Sequence, residues 1–151
     1  MTTVVLPKGF PYVIASTFSP VWLLIWQSIR VSRARRAAGI KYPQLYAEKA
    51  EAEASKEAMV FNCVQRAHQN TLENLPIALI GTVITGLRYP ILAASLCGVW
   101  TLGRGLYTIG YATGIPEKRT SRGGALGSFA MVGLILTGTW TVGEFLVAEL
   151  L

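Results

Sequence analysis

Hydrophobic and polar positions divide the chain into four long apolar stretches separated by three polar ones. Phe10–Ile29 runs twenty residues without a charge, which as a helix spans about 30 Å of hydrocarbon. Pro11 sits near its start, where proline is tolerated, and Pro20 predicts a kink. Trp22 and Trp26 lie near its far end, where indole rings favour a membrane interface. Arg30–Ala58 then reverses the character, with seven Lys/Arg set against Glu48, Glu51, Glu53 and Glu57. Tyr42-Pro43 breaks this segment, and the alanine/glutamate run Ala47–Ala58 reads as a surface loop, mobile or helical.

Phe61–Glu73, FNCVQRAHQNTLE, places Asn62, Arg66, Asn70 and Glu73 at offsets of four, four and three. In a helix that spacing puts them on one face. The uncharged Leu75–Leu87, LPIALIGTVITGL, follows at once. Its thirteen residues are too few to span, so the second helix must recruit its polar first half. Arg88-Tyr89-Pro90 predicts a tight turn into a third helix that stops at Gly114 and Pro116. Arg104, Tyr107 and Tyr111 share one face of that helix. After EKRTSR, Gly123–Gly143 gives twenty-one uncharged residues rich in glycine, which lets helix backbones approach closely in lipid. The pattern predicts an all-α integral membrane protein, a single domain over residues 1–151. Its four transmembrane helices, at about 10–29, 60–87, 91–113 and 123–145, form an antiparallel bundle with basic loops at 30–58 and 114–122.

Composition agrees. The chain is 52% hydrophobic and 15% charged, with a mean hydropathy of +0.42, whereas a soluble domain carries about 25% charge. The net charge of +6 does not indicate nucleic acid, because the basic residues collect in two interhelical segments. The first and third loops carry seven and three Lys/Arg, the amino terminus and second loop one each. Both basic loops should therefore face the cytoplasm. Two cysteines, Cys63 and Cys97, give neither a disulfide framework nor metal-ligand spacing, and one histidine makes a protein-built metal centre improbable. The first apolar segment lacks the basic leader of a cleavable signal peptide.

That orientation puts the polar start of the second helix and the Tyr/Arg end of the third on one side of the membrane, where they can converge. Arginine and glutamate at the hydrocarbon boundary cost roughly 2.5–3.5 kcal/mol each at the bilayer centre, so such residues usually face inward and serve a site. The plainer alternative is a pair of snorkelling boundary charges. Guanidiniums, amides, phenols and one carboxylate, with no nucleophile–base pair, suit a small zwitterion bearing more than one carboxylate. Glutathione is such a molecule and brings its own thiol, although the residues alone do not select it over other anions.

FNCVQRAHQNTLE closely resembles the signature of the MAPEG family, the membrane-associated proteins in eicosanoid and glutathione metabolism. The likeness extends through VSRARRA, RGLYTIGY and KRTSRGGALGS, and within the family it is greatest to the type 3 microsomal glutathione S-transferases. The resemblance implies a homotrimer, in the endoplasmic reticulum if the source is eukaryotic, binding glutathione between subunits near the cytoplasmic surface. It implies conjugation to hydrophobic electrophiles, leukotriene-type epoxides among them, or reduction of lipid hydroperoxides. Arg66, Asn70 and Glu73 match the family's glutathione positions, with His68 where a relative has glutamine. Arg104, Tyr107 and Tyr111 match the third-helix set. Arg35 and Arg36 match a pair of which one holds glutathione and the other acts at the lipid epoxide. Arg119, or Lys118 one residue earlier, matches the thiol-activating position. Asn74 stands where the leukotriene synthase has tyrosine.

Structural roles stand beside these. Arg30 and Arg33 suit positive-inside anchors, Tyr107 and Tyr111 an interfacial belt, and His68 helix packing. Cys63 and Cys97 suit buried apolar positions, and Trp100 and Trp140 lipid or subunit packing. The family also contains a lipoxygenase-activating, non-catalytic scaffold, and an organic-anion transporter could use the same stripe.

Overall fold

The computed structural model describes residues 6–121 and 123–150. Five α-helices follow one another: α1 (Phe10–Ala38), α2 (Lys49–Ala54), α3 (Lys56–Gly86), α4 (Pro90–Tyr111) and α5 (Ala125–Leu150), with a 3-10 turn at Pro116–Arg119 before α5. No strand occurs among the described residues.

The first helix does not stop where its apolar run stops. Arg30–Ala38 contains only strong or neutral helix formers apart from Val31 and Ser32, so α1 continues to Ala38. It ends at Gly39, which takes the left-handed conformation at φ 68° and donates its N–H to the carbonyls of Arg35 and Arg36. Such a glycine satisfies carbonyls that the helix end would leave bare. The alanine/glutamate run folds as the short α2, opened by reciprocal Glu48/Glu51 capping. Ser55 then caps α3 by accepting the N–H of Ala58 at 3.3 Å.

α3 and α4 form the centre. α1 packs against both on one side, and α5 packs against both on the other. Trp100 of α4, 1% exposed, anchors the core with Ala78, Ala130, Met131 and Leu134. It is therefore packed within the chain and not against lipid or a neighbour. Trp140 on α5 is 65% exposed. α4 and α5 meet backbone to backbone, because a Cβ on Gly103 would collide with the backbone nitrogen of Gly127.

The outward surface is apolar. Leu102, Phe129, Leu136 and Leu150 all project outward, and an apolar exterior on this scale marks a lipid or protein interface. α1 and α5 are each long and apolar enough to cross a membrane. α3 matches them in length but carries Arg66 and Glu73.

Candidate functional site

The polar face of α3 meets the second half of α4 near the end of the molecule where α1 terminates. Arg66 and Glu73 lie two turns apart and form an ion pair, with Nη1 donating to Oε1 at 2.7 Å. Asn70 lies between them and donates through Nδ2 to Glu73 Oε2 at 3.3 Å. Its other amide atom, Oδ1, accepts from Arg104 Nη2 at 2.7 Å. Arg104 is 6% exposed, and its guanidinium sits 4.2 Å from the centre of the Tyr107 ring. Tyr107 packs edge-on against Tyr111 at 5.5 Å, and the guanidinium of Arg119 stands 6.0 Å from the Tyr111 ring. Two arginines thus flank a pair of phenols, with cation–π contacts at both ends.

Helix geometry explains the convergence. Residues 66, 70 and 73 recur at the spacing of one helix face. Residues 104, 107 and 111 do the same on α4. Close packing around Gly110 and Gly124 sets the position of the 3-10 turn. A Cβ on Gly110 would strike the carbonyl of Lys118, and one on Gly124 would strike that of Arg119. Arg119 is further fixed by donating to the carbonyl of Pro116 at 2.8 Å. Lys118 is exposed and contributes its carbonyl to Ser121 at 2.9 Å.

Other predicted residues lie elsewhere in the chain. Arg35 is buried beneath the segment after α1. Nη1 donates to the carbonyl of Gln44 at 2.6 Å, and the guanidinium is held between the rings of Tyr42 and Phe61 at 4.4 and 4.6 Å. Arg36 is exposed on α1. His68 points to the opposite side of α3, with Nδ1 3.4 Å from Gln27 Oε1 of α1. Asn62, though part of the same stripe, clasps the incoming loop. It accepts from the Ala47 N–H at 2.8 Å and donates to the Ala47 carbonyl at 2.9 Å. Asn74 donates to the carbonyl of Asn70 at 2.7 Å.

Two participants, Tyr46 and Gln27, are not marked by the periodicity of the sequence. Tyr46, delivered by the Asn62–Ala47 clasp, donates its hydroxyl to Gln69 Oε1. Burial pushes its phenol above the ordinary tyrosine range, while the Arg66 guanidinium pulls it the other way. Gln27, fully buried, donates to Thr71 Oγ1 at 2.9 Å and Thr108 Oγ1 at 2.7 Å. The Thr71 hydroxyl also receives Arg104 Nε at 3.3 Å, so Gln27 supports the floor below Arg104. A single glutamine inside an uncharged run was the only hint of this.

The assembly offers cationic, carboxylate, amide and phenolic groups within one surface. Both cysteines are buried, and no cluster of three or more His, Cys, Asp or Glu side chains that could hold a metal ion occurs among the described residues. It can bind a zwitterion and stabilise an anion, with any nucleophile supplied by the ligand.

An uncharacterized protein of Synechocystis sp. is 35% identical over 136 residues, covering 87% of this chain and 89% of that protein. The MAPEG family model matches residues 12–140, from α1 through most of α5 and including every residue of the cluster. MAPEG proteins act in membranes and include glutathione transferases as well as members without catalytic activity. The extent of the match leaves one conclusion: the chain belongs to the MAPEG family.

Proposed function

We propose that the protein is a membrane-bound glutathione transferase with glutathione-dependent peroxidase activity, of the type 3 microsomal kind. The observation that carries this is the linked set Arg66–Glu73–Asn70–Arg104, exposed at one end and anchored in the core at the other. Glutathione has two carboxylates and one ammonium group. Arg66 matches a carboxylate through a paired fork, Glu73 matches the ammonium, and Asn70 can serve either. Tyr107 and Tyr111 line the way from this cluster to Arg119.

Chemistry then needs a thiolate. Free thiols have a pKa near about 8.5, so only a few per cent ionise at neutral pH. A guanidinium beside the sulfur favours the ionised form, and about 1.4 kcal/mol of such preference raises the ratio of thiolate to thiol tenfold. Arg119 has that role, and the thiol proton leaves to water. The sulfur lone pair then attacks an electrophilic carbon, forming a C–S bond as the C–O bond of an epoxide opens or a leaving group departs. With a hydroperoxide, sulfur attacks the distal oxygen and the O–O bond breaks. The lipid alkoxide takes a proton from water and leaves as an alcohol, the sulfur keeps the distal oxygen as a sulfenic acid, and the thiol of a second glutathione displaces that oxygen as water to form the disulfide. Orientation and preorganised charge supply the gain.

Within one chain, Arg35 and Arg36 stand apart from the cluster. A homotrimer that seats glutathione between neighbouring subunits gives Arg36 access to the bound lipid electrophile. The site faces the cytoplasm, and in a eukaryote the membrane is that of the endoplasmic reticulum. Equilibrium binding of labelled glutathione to the detergent-solubilised protein tests the reading. Saturable binding that weakens in Arg66→Gln supports it, and no saturable binding would leave a lipid-binding scaffold.

A further inference from the structure

A groove on the opposite side of α4 from α5 remains outside this site. It has a volume of about 520 Å³ and runs between α1 and α4, walled by Trp22, Trp26, Leu102, Gly105 and Ile109. Ser19 and Thr101 close one end, their hydroxyls 3.0 Å apart. One turn further along α1 lies a second depression of about 330 Å³, lined by Arg30, Arg33, Ala37, Val64 and Ala112. Trp26 and Arg30 are one turn apart on α1, as are Ile109 and Ala112 on the neighbouring α4. The Arg30 guanidinium lies 5.0 Å from the centre of the Trp26 ring.

The two depressions differ sharply in character. The first is apolar and indole-lined, and the second carries two cations. No carboxylate lines either. Arg30 and Arg33 form no ion pair among the described residues, and Arg30 Nε is buried without a hydrogen-bond partner. Two guanidiniums with no carboxylate beside them leave this end electropositive, which suits an anion. From Trp22 to Arg33, α1 rises by about 16 Å, roughly half of a hydrocarbon core about 30 Å thick. One leaflet's acyl chain has that reach.

We infer that the α1/α4 groove is a binding site for an anionic phospholipid, its headgroup phosphate on Arg30 and Arg33 and an acyl chain between Trp22, Trp26, Leu102 and Ile109. Gly105 leaves room for the chain, and charge complementarity selects an anionic over a zwitterionic headgroup. Each arginine near an anionic leaflet contributes about 1 kcal/mol of attraction. The site shares no residue with the glutathione cluster, so it stands whether or not glutathione binds.

The indoles report occupancy directly. The full chain carrying Trp140→Phe, which removes the exposed indole of α5, is reconstituted in phosphatidylcholine vesicles containing phosphatidylglycerol. Tryptophan quenching is compared with bromine on the acyl chains of one lipid or the other, at equal mole fraction. The site predicts stronger quenching by brominated phosphatidylglycerol. That preference should fall about fivefold for each of Arg30→Gln and Arg33→Gln, and survive in the doubly lysine-substituted protein, whose helicity checks folding. Equal quenching by both lipids, or a preference unchanged in the double glutamine variant, overturns the inference. Absence of quenching by either lipid overturns it in favour of a second protein surface covering the groove.

Discussion

Arg104 Nη2 donates to Asn70 Oδ1 at 2.7 Å, joining α4 to α3 across thirty-four positions of sequence. The bond fixes a buried guanidinium whose other faces rest on Thr71 and on the Tyr107 ring. It also orients Asn70 so that its Nδ2 faces Glu73. One amide therefore couples the core of the molecule to its exposed ion pair.

Asn70→Ala should consequently destabilise the protein by about 1.5–3 kcal/mol, the range for a hydrogen bond to a charged group. Asn70→Asp, which keeps an acceptor for Arg104, should recover most of that loss. Thermal unfolding of the three proteins in one detergent checks the order. Equal stability of the alanine variant and the parent contradicts the coupling.

Arg66→Gln separates binding from stability. Its ion pair with Glu73 has both side chains substantially exposed, at 43% and 53%, and pairs of this kind contribute no more than about 1 kcal/mol. Stability should barely move. Glutathione affinity should fall about tenfold or more, because a charge-assisted contact to the ligand is lost. Calorimetric titration alongside unfolding distinguishes the two effects, and a variant that binds normally removes Arg66 from the site.

Gln27→Leu should show the reverse. Thr71 and Thr108 still donate to the carbonyls of Ala67 and Arg104 after the change, so the loss is that of the two amide hydrogen bonds, about 1–3 kcal/mol. His68 loses its Gln27 neighbour as well. Glutathione affinity should remain within about twofold, since both residues lie away from the exposed cluster. A large fall in affinity with unchanged stability would instead place the Gln27–His68 pair at the ligand.

Much of this arrangement was legible because periodicity reports faces. The 66/70/73 and 104/107/111 spacings placed two sets of side chains on two helices, and the short Arg88-Tyr89-Pro90 connection indicated that the helices return side by side. Helix ends were less legible. Charge at Arg30 ended the apolar run but not α1, since arginine and alanine favour helix as strongly as the residues before them; Gly39 ended it. Function within a face was also hidden. Asn62 has the same periodicity as Asn70, yet it serves Ala47 and the loop, a distinction that depends on what packs opposite. Tyr46 reaches Gln69 only because that loop folds back onto α3. Trp100 and Trp140 illustrate the same limit, one central to the core and one facing outward, with no local difference to separate them. His68 and Arg35 show it for the polar residues, because each finds its partner on another element.

Glutathione activation is the central claim, and the thiolate absorbs in the ultraviolet where the thiol does not. The most direct measurement is therefore the thiolate difference absorbance of the purified protein as glutathione is added at neutral pH, with Arg119→Ala in parallel. The account predicts a saturable thiolate signal in the parent protein. In Arg119→Ala that signal should fall at least tenfold, while glutathione binding changes by less than about threefold. Saturable binding with no thiolate signal in the parent, or a signal undiminished in Arg119→Ala, would contradict it.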